Sequence, residues 1–261
     1  MITVITVCYN AEQCIIPTIE SILKQNTGEF EYIIKDGNSK DGTNNIIEEY
    51  KSRLDNKLSS FMWIKESDSG LYNAMNVASK LAHGQYLLFI NAGDQLYNEN
   101  VISLLSTRIG DYDIYYGDVI NQTKDGKQSL IEVTEAPEYL KKGMFFCHQA
   151  ALIRRNVMIS LEYAEKYQIC ADYDFFLRSY LQKCTFCYIK LPIAIFEIGG
   201  ISYTRAFDLI DEAYRIQLEN GVQNKWKILL LRLKNLCKKK VIAIAPPRLL
   251  SLYKSFKNKT R

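Results

Sequence analysis

The chain is poor in proline and histidine, with five and two residues in 261. So few prolines leave room for uninterrupted helices and strands, and with 48% hydrophobic residues the composition excludes a disordered chain. No run of 18 uninterrupted apolar residues is present, so no segment reads as a membrane span. The N-terminus "MITVITVCYN" lacks the basic start and small-residue cleavage site of a signal peptide, and a cytoplasmic location is expected. The seven cysteines are odd in number and scattered, which fits reduced core thiols rather than a disulfide framework. Cys184 and Cys187 form a CxxC without a second pair or a nearby histidine, which argues against a zinc or redox centre. Internal repeats and low-complexity segments are also missing.

Acidic residues are absent after Glu219, whereas twelve Lys/Arg fall in 220–261. The body, 1–219, therefore carries a net −8 and the tail +12. Such polarity suits a negatively charged surface as partner for the tail.

What is present is a rhythm. Short β-rich runs alternate with helical patterns: "ITVITV" (2–7), a helix near 12–25, "FEYIIK" (30–35), a helix near 42–54, "SSFMWIK" (59–65), a helix near 70–82, and "QYLLFIN" (85–91). This predicts βαβ units, with a mainly parallel, Rossmann-like central sheet flanked by helices. Ligands of such sheets bind beyond the carboxyl ends of the strands. The places to look are Thr6–Asn10, Asp36–Ser39, Glu66–Gly70 and Asn91–Asp94, all polar or small, three of them with a carboxylate. No GxGxxG follows the first strand, which speaks against a dinucleotide-dependent oxidoreductase.

Beyond residue 110 the pattern changes. Strands are expected at 113–120 and 127–134, a loop entering a strand or helix at 145–155, and a helix at 170–183. Two more strands are expected in "CTFCYIK" and "IAIFEIGG", a helix at 203–220, and a basic leucine-rich end broken by Pro246-Pro247. Turn chemistry accounts for much of "IIKDGNSKDGT", where Ser39 or Asp41 would cap the next helix.

Three stretches, taken in order, carry a resemblance: "ITVCYNAEQCIIPTIESILKQ", "EYIIKDGNSKDGT" and "ESDSGLYNAMNVASKLAHGQYLLFINAGD". Together they resemble the nucleotide-sugar-binding half of the inverting family 2 glycosyltransferases, continuously over residues 1–95. "FFCHQAALIRR", "ICADYDFFLR" and "GGIS" extend the likeness to about residue 205, in the branch that builds capsule, exopolysaccharide or O-antigen. The resemblance implies a GT-A fold with a smaller antiparallel acceptor-side region and a helical basic C-terminal tail. Residues 1–110 would form the nucleotide-sugar-binding half, 111–220 the acceptor and catalytic half, and 221–261 the extension.

It also implies roles. Val7 and Tyr9 would offer backbone and an aromatic face to a base, with Asp36 and Asp68 as acidic contacts. Asn73 stands where the family often has an aspartate. Asn91 and Gly93 would line the diphosphate. Asp94 and His148 would hold a divalent cation, Mn2+ or Mg2+, with His148 also near the diphosphate. Gly93 occupies the position of the family's second acid. Asp172 is the expected base, with Asp174 as fallback, Arg178 pairing with either, and Gly199, Gly200, Ile201 and Ser202 closing over the diphosphate. The implied reaction moves a sugar from a nucleotide-sugar donor, UDP-sugar favoured, to a hydroxyl of a glycan or lipid-linked glycan acceptor, with inversion. The tail, with Trp226 and its leucines, would lie on an anionic membrane at the inner face of the cytoplasmic membrane; no nucleic-acid partner is implied. A nucleotide-sugar-binding protein without catalysis is the competing reading, and it would have no need of Asp172.

Overall fold

The computed structural model of the chain describes residues 1–123, 125–199, 205–224 and 226. The first half follows the predicted rhythm: β1 (Ile2–Cys8), α1 (Ile15–Leu23), β2 (Glu31–Asp36), α2 (Thr43–Lys57), β3 (Ser60–Lys65), α3 (Leu71–Leu81) and β4 (Tyr86–Phe89). A two-residue β5 (Gln95–Leu96) and α4 (Val101–Arg108) follow. The second half holds β6 (Ile114–Gln122), β7 (Gln128–Ile131), β8 (Ala151–Arg154), α5 (Arg155–Leu161), α6 (Ala171–Leu181), β9 (Phe186–Glu197) and α7 (Ala206–Glu219). Short 3-10 turns lie at Pro137–Lys141 and His148–Ala150. No helix among the described residues is long and apolar enough to cross a membrane.

All strands join one sheet in the order β3-β2-β1-β4-β8-β6-β9-β5, with β7 added to β6. The first four run parallel. β8 enters antiparallel between β4 and β6, β9 lies parallel to β6, and β5 and β7 pair antiparallel. β1 and β2 are buried along their whole length because helices cover both faces, as parallel sheets require. Side chains alternate between two cores. Ile2 and Val4 pack with α1, α2 and α4, whereas Ile5 and Val7 pack with α3, α5, α6 and α7.

Helix α1 carries more than an apolar stripe. Its buried Thr18 and Ser21, and Gln25 just beyond its end, sit at helical spacing and face the segment after β4. Ser21 Oγ accepts Leu96 N at 3.1 Å, Gln25 Nε2 donates to Asn98 O at 2.7 Å, and Gln25 Oε1 accepts Ile102 N at 3.1 Å. The stretch from β5 through the loop at Asn98 to the start of α4 is thereby tied to α1 by side chains.

One expectation needs correction. "CTFCYIK" and "IAIFEIGG" are not two strands but one, the 12-residue β9. It passes through Pro192, which lacks an N–H, where the register against β6 shifts at Asp118. The 145–155 segment is, as expected, a loop entering a strand: a 3-10 turn leads into β8, and helix α5, which was not expected, follows. The helix expected at 203–220 is α7, while the basic tail beyond Trp226 and the Gly200–Ser202 part of the closing loop lie outside the described residues.

Gly117 sits at the β6 irregularity with β9 pressed against it. A Cβ there would stand 2.6 Å from Leu191 O and 2.7 Å from Ile193 Cδ1. Gly117→Ala is therefore expected to destabilise the fold by about 1–3 kcal/mol, as overpacking typically does. Urea unfolding would show this as a lower midpoint with an unchanged slope.

Candidate active site at the strand ends

Two groups of side chains occupy the carboxyl edge of the parallel strands. The first gathers at the ends of β1, β2 and β3. Val7 is buried, and its carbonyl accepts Ala92 N at 3.2 Å, which ties the first strand end to the fourth. Tyr9 is 61% exposed, so its ring is open to a planar ligand. A Cβ on Gly37 would come 3.2 Å from Tyr9 Cδ2 and 2.8 Å from Asp68 Oδ2, so the tyrosine ring edge and the Asp68 carboxylate both crowd the bare face of this glycine.

The two acids of this group do different work. Asp36 is buried and turned into its own loop: Oδ1 accepts Ser39 N at 2.8 Å, and Oδ2 accepts Ser39 Oγ and the Cys8 thiol. Ser39 Oγ in turn accepts Asn10 N at 2.8 Å, so Asp36 fixes the loops after β1 and β2 together. Asp41 accepts Thr43 N at 3.1 Å at the start of α2, the turn chemistry expected of it. Asp68 is more open. Its Oδ2 lies 3.2 Å from Lys35 Nζ and its Oδ1 accepts Gly70 N at 3.1 Å. Lys35, fully buried, also donates to Glu66 O at 2.6 Å and Asp36 O at 3.2 Å. A buried ammonium needs such pairing to offset its desolvation. Asn73 turns away to Glu165, which also receives Asn76 and Ser69.

The second group forms where β4 ends. Gly93 has φ +101°, and its N–H donates to Thr18 Oγ1 at 3.0 Å; Thr18 Oγ1 donates to Asp94 O at 2.7 Å. Asp94 is only 7% exposed, and its Oδ2 accepts Gln149 Nε2 at 2.8 Å. Burial pushes its carboxyl up to about 6; the Gln149 amide, His148 and the Glu197 backbone amide offset part of that, and the Glu197 charge adds to it. Gln149 Oε1 accepts the Cys147 thiol, which burial keeps protonated and hence a donor.

His148 connects this loop to α6. The Asn91 amide places Nδ2 3.3 Å from His148 Nε2, and His148 Nδ1 lies 3.5 Å from Asp172 Oδ2. With Asn91 donating, the ring proton belongs on Nδ1, toward the carboxylate. Asp172, in the first turn of α6, is 21% exposed at its side chain; Oδ1 accepts Tyr173 N at 2.8 Å and lies 3.5 Å from Tyr72 OH. Asn91, Gly93, Asp94, His148 and Asp172 thus gather from three segments, the loop after β4, the 3-10 turn and α6. Asp174 does not join them. It pairs with Arg178 at 2.7 Å, and Arg178 also donates to Leu161 O and Glu162 O.

A fully protein-caged cation does not fit: no group of three or more His, Cys, Asp or Glu side chains able to hold one occurs among the described residues. A cation shared with ligand phosphates does fit. Asp94 is a buried carboxylate facing a neutral amide, and Asn91 Oδ1 is buried with no partner. Magnesium-type sites commonly use one or two protein carboxylates and take the rest of their ligands from phosphates and water. Lys35, Thr18, Gln149 and Cys147 are site residues that motif reading passes over. Thr18 alone had a signal, a polar residue on the buried face of a helix.

A family model described as Glycosyl transferase family 2 matches residues 3–162, from β1 through the 3-10 turn to the end of α5. The PGL/p-HBAD biosynthesis glycosyltransferase of Mycobacterium bovis (strain BCG / Pasteur 1173P2) is 30% identical over 210 residues, 78% of this chain and 80% of that protein. Two solved structures share the fold. S. aureus TarS in complex with UDP-GlcNAc superposes with a TM-score of 0.66 at 18% identity, over 86% of this chain and 67% of that one. The mannosyltransferase PcManGT from Pyrobaculum calidifontis, in complex with GDP-Man and Mn2+, gives 0.64 at 14% identity, over 98% and 79%.

The raised carboxyl of Asp94 has a measurable sign. A group that binds its proton more tightly when folded stabilises the fold fully below its ordinary value and loses that contribution as the pH rises through about 6. At pH 7.5 the ionised form costs the ligand-free fold on the order of 3 kcal/mol. Asp94→Asn, which can still accept the Gln149 amide, should melt several degrees above the wild type at pH 7.5. The gap should shrink at pH 5. Thermal unfolding without ligand at both pH values decides it, and equal melting temperatures at pH 7.5 would count against the assignment.

Proposed function

The chain belongs to glycosyl transferase family 2 and carries the GT-A fold, and from that premise we propose that it transfers a sugar from a nucleoside-diphosphate sugar to an acceptor hydroxyl with inversion. The observation that supports the reading is the approach of the half-open Asp172 carboxylate to the β4-end loop through His148, and on this reading Asp172 would stand beside the donor's diphosphate. Residues 1–110 are the donor half. Tyr9 offers its ring to the base, Asp68 an acidic edge, and Asp36 the loop that frames both; Asn91 and Gly93 border the diphosphate. Residues 111–220 supply His148, Asp172 and the acceptor side.

In the reaction the acceptor oxygen attacks the anomeric carbon from the face opposite the leaving group. The bond from that carbon to the diphosphate oxygen breaks, and its electron pair leaves with the nucleoside diphosphate. The hydroxyl proton passes to Asp172. One displacement inverts the configuration and needs no covalent intermediate; a positioned base typically contributes about 10²–10⁴-fold. The Tyr173 amide and His148 Nδ1 hold the Asp172 carboxylate in place. A divalent cation, Mn2+ or Mg2+, would be held by Asp94 with His148 Nε2 and would neutralise charge on the departing diphosphate. In the tautomer that Asp172 favours, His148 Nε2 carries the lone pair, and it would exchange the Asn91 amide for the cation.

UDP-sugar is the favoured donor, and the UDP-GlcNAc held by the TarS structure supports a uridine nucleotide in this fold. The acceptor is a glycan, lipid-linked, in cell-surface polysaccharide synthesis. The basic tail, 221–261, is the contact to an anionic inner membrane face, where each nearby Lys or Arg adds about 1 kcal/mol.

A screen of nucleotide sugars for nucleoside diphosphate release, with and without EDTA, tests the reaction and the cation together. Release from one donor, lost in EDTA and restored by Mn2+ or Mg2+, is expected. Asp172→Asn should bind that donor like the wild type and lower kcat at least about 100-fold. Unchanged turnover in Asp172→Asn would move the base elsewhere, and no release from any donor would leave a binding protein without catalysis.

A further inference from the structure

The 3-10 turn His148–Ala150 touches both carboxylates of the proposed reaction. His148 stands beside Asp172, and Gln149, the next residue, grips Asp94. Ala150 is fully buried, and its N–H donates to Cys147 O at 3.0 Å, so the turn is closed on itself and anchored in the core.

Gln149 is itself buried, 4% exposed, and both ends of its amide are engaged. Nε2 donates to Asp94 Oδ2 at 2.8 Å, and Oε1 accepts from Cys147 Sγ. The two ends of an amide have nearly the same shape and opposite polarity, so position alone does not decide which one faces Asp94. The Cys147 thiol decides it, because an S–H needs an acceptor. A flipped amide would set Oε1 against the Asp94 carboxylate, acceptor against acceptor, and leave the thiol facing an NH2. The three groups form a one-way chain from thiol to amide to carboxylate.

We propose that Gln149 is a positioning residue for Asp94, and that Cys147 fixes the end of the Gln149 amide that does the positioning. The inference rests on the reading of Asp94 as the carboxylate that meets the donor's diphosphate and its cation. Such a carboxylate must hold one orientation before the ligand arrives, and partners behind a metal-facing group typically matter by about 10–100-fold in affinity. Cys147 touches no ligand in this scheme and acts only through Gln149.

The test is a double-mutant cycle read by calorimetric binding of Mn2+ with UDP, GDP or dTDP, whichever raises the melting temperature of the wild-type protein, with ligand-free melting as a check on folding. Gln149→Leu should weaken binding about 10–100-fold. Cys147→Ala should weaken it several-fold, whereas Cys147→Ser, which keeps a donor, should stay close to the wild type. In the Gln149→Leu background, Cys147→Ala should change the dissociation constant no further, since the thiol has lost its only route to Asp94. A merely structural cysteine would lower the melting temperature and leave binding unchanged. Independent, additive losses overturn the proposal, as does wild-type binding by Gln149→Leu alongside lost binding by Asp94→Asn. Wild-type binding by Asp94→Asn instead removes the role given to Asp94 and the proposal with it.

Discussion

Parallel pairing in fixed register is the constraint on which the site depends. β1 pairs with β2 on one side and β4 on the other, so Cys8 stands level with Asp36, and Asp36 with Lys65. All the strands that point the same way end at the same edge, and the loops that follow must start there. The ladder even runs past the strand ends: Gly37 N donates to Cys8 O at 2.9 Å, Ala92 N to Val7 O at 3.2 Å, and Glu66 N to Asp36 O at 3.1 Å. Three loops far apart in sequence therefore leave the sheet already bonded to their neighbours. The second half exploits this floor, since β8 slots in beside β4 and brings the turn that precedes it, with His148 and Gln149, over the β4 end.

The buried charges of the site are handled in two ways. Lys35 and Asp68 neutralise each other, with backbone carbonyls filling the rest of the ammonium's needs, and the pair locks the ends of β2 and β3. Asp94 meets a neutral amide instead, and no lysine or arginine among the described residues forms an ion pair with it, so of the charged groups His148 alone offsets part of its charge. A fold selected for stability alone would place a neutral residue there. A site that must attract a cation bound to phosphates benefits from a carboxylate whose charge is satisfied only when the ligand comes, the usual tension between stability and activity.

The parts of this arrangement that could be read from the chain are those written in local periodicity. "ITVITV", "EYIIKD" and "QYLLF" alternate with helical stripes, and a strand run that stops on a small polar turn announces its carboxyl end without any knowledge of the neighbours. The sequence leaves the partner of Arg178 open between Asp172 and Asp174, and the structure gives Asp174, four residues before it on the same helix face, where residues six apart do not meet. What stayed hidden depends on contacts between distant segments. Gln149 reaches Asp94 across 55 residues, and Thr18 reaches Gly93 across 75. No spacing within the turn "CHQAA" shows that its glutamine faces a carboxylate. The continuity of β9 through Pro192 was hidden for a related reason: a proline reads as a break unless the partner strand is known to shift register beside it.

The single acid of "NAGD" follows from the shape of its loop. Space is not the reason that residue 93 is a glycine, because a Cβ there would meet nothing nearer than Cys14 Cβ at 3.8 Å, an ordinary contact. The backbone is the reason: at φ +101° an L side chain is strained, and an acid at this position would have to bend the turn. That same turn aims the Gly93 N–H at Thr18 and lets Asp94 N donate back to Asn91 O at 2.9 Å, which brings the Asp94 carboxylate under the Gln149 amide. A second acid at 93 would therefore strain the turn that places Asp94. The loop thus presents one well-oriented carboxylate, and on the proposed reading the remaining oxygens of a cation's shell would come from the phosphates of the ligand.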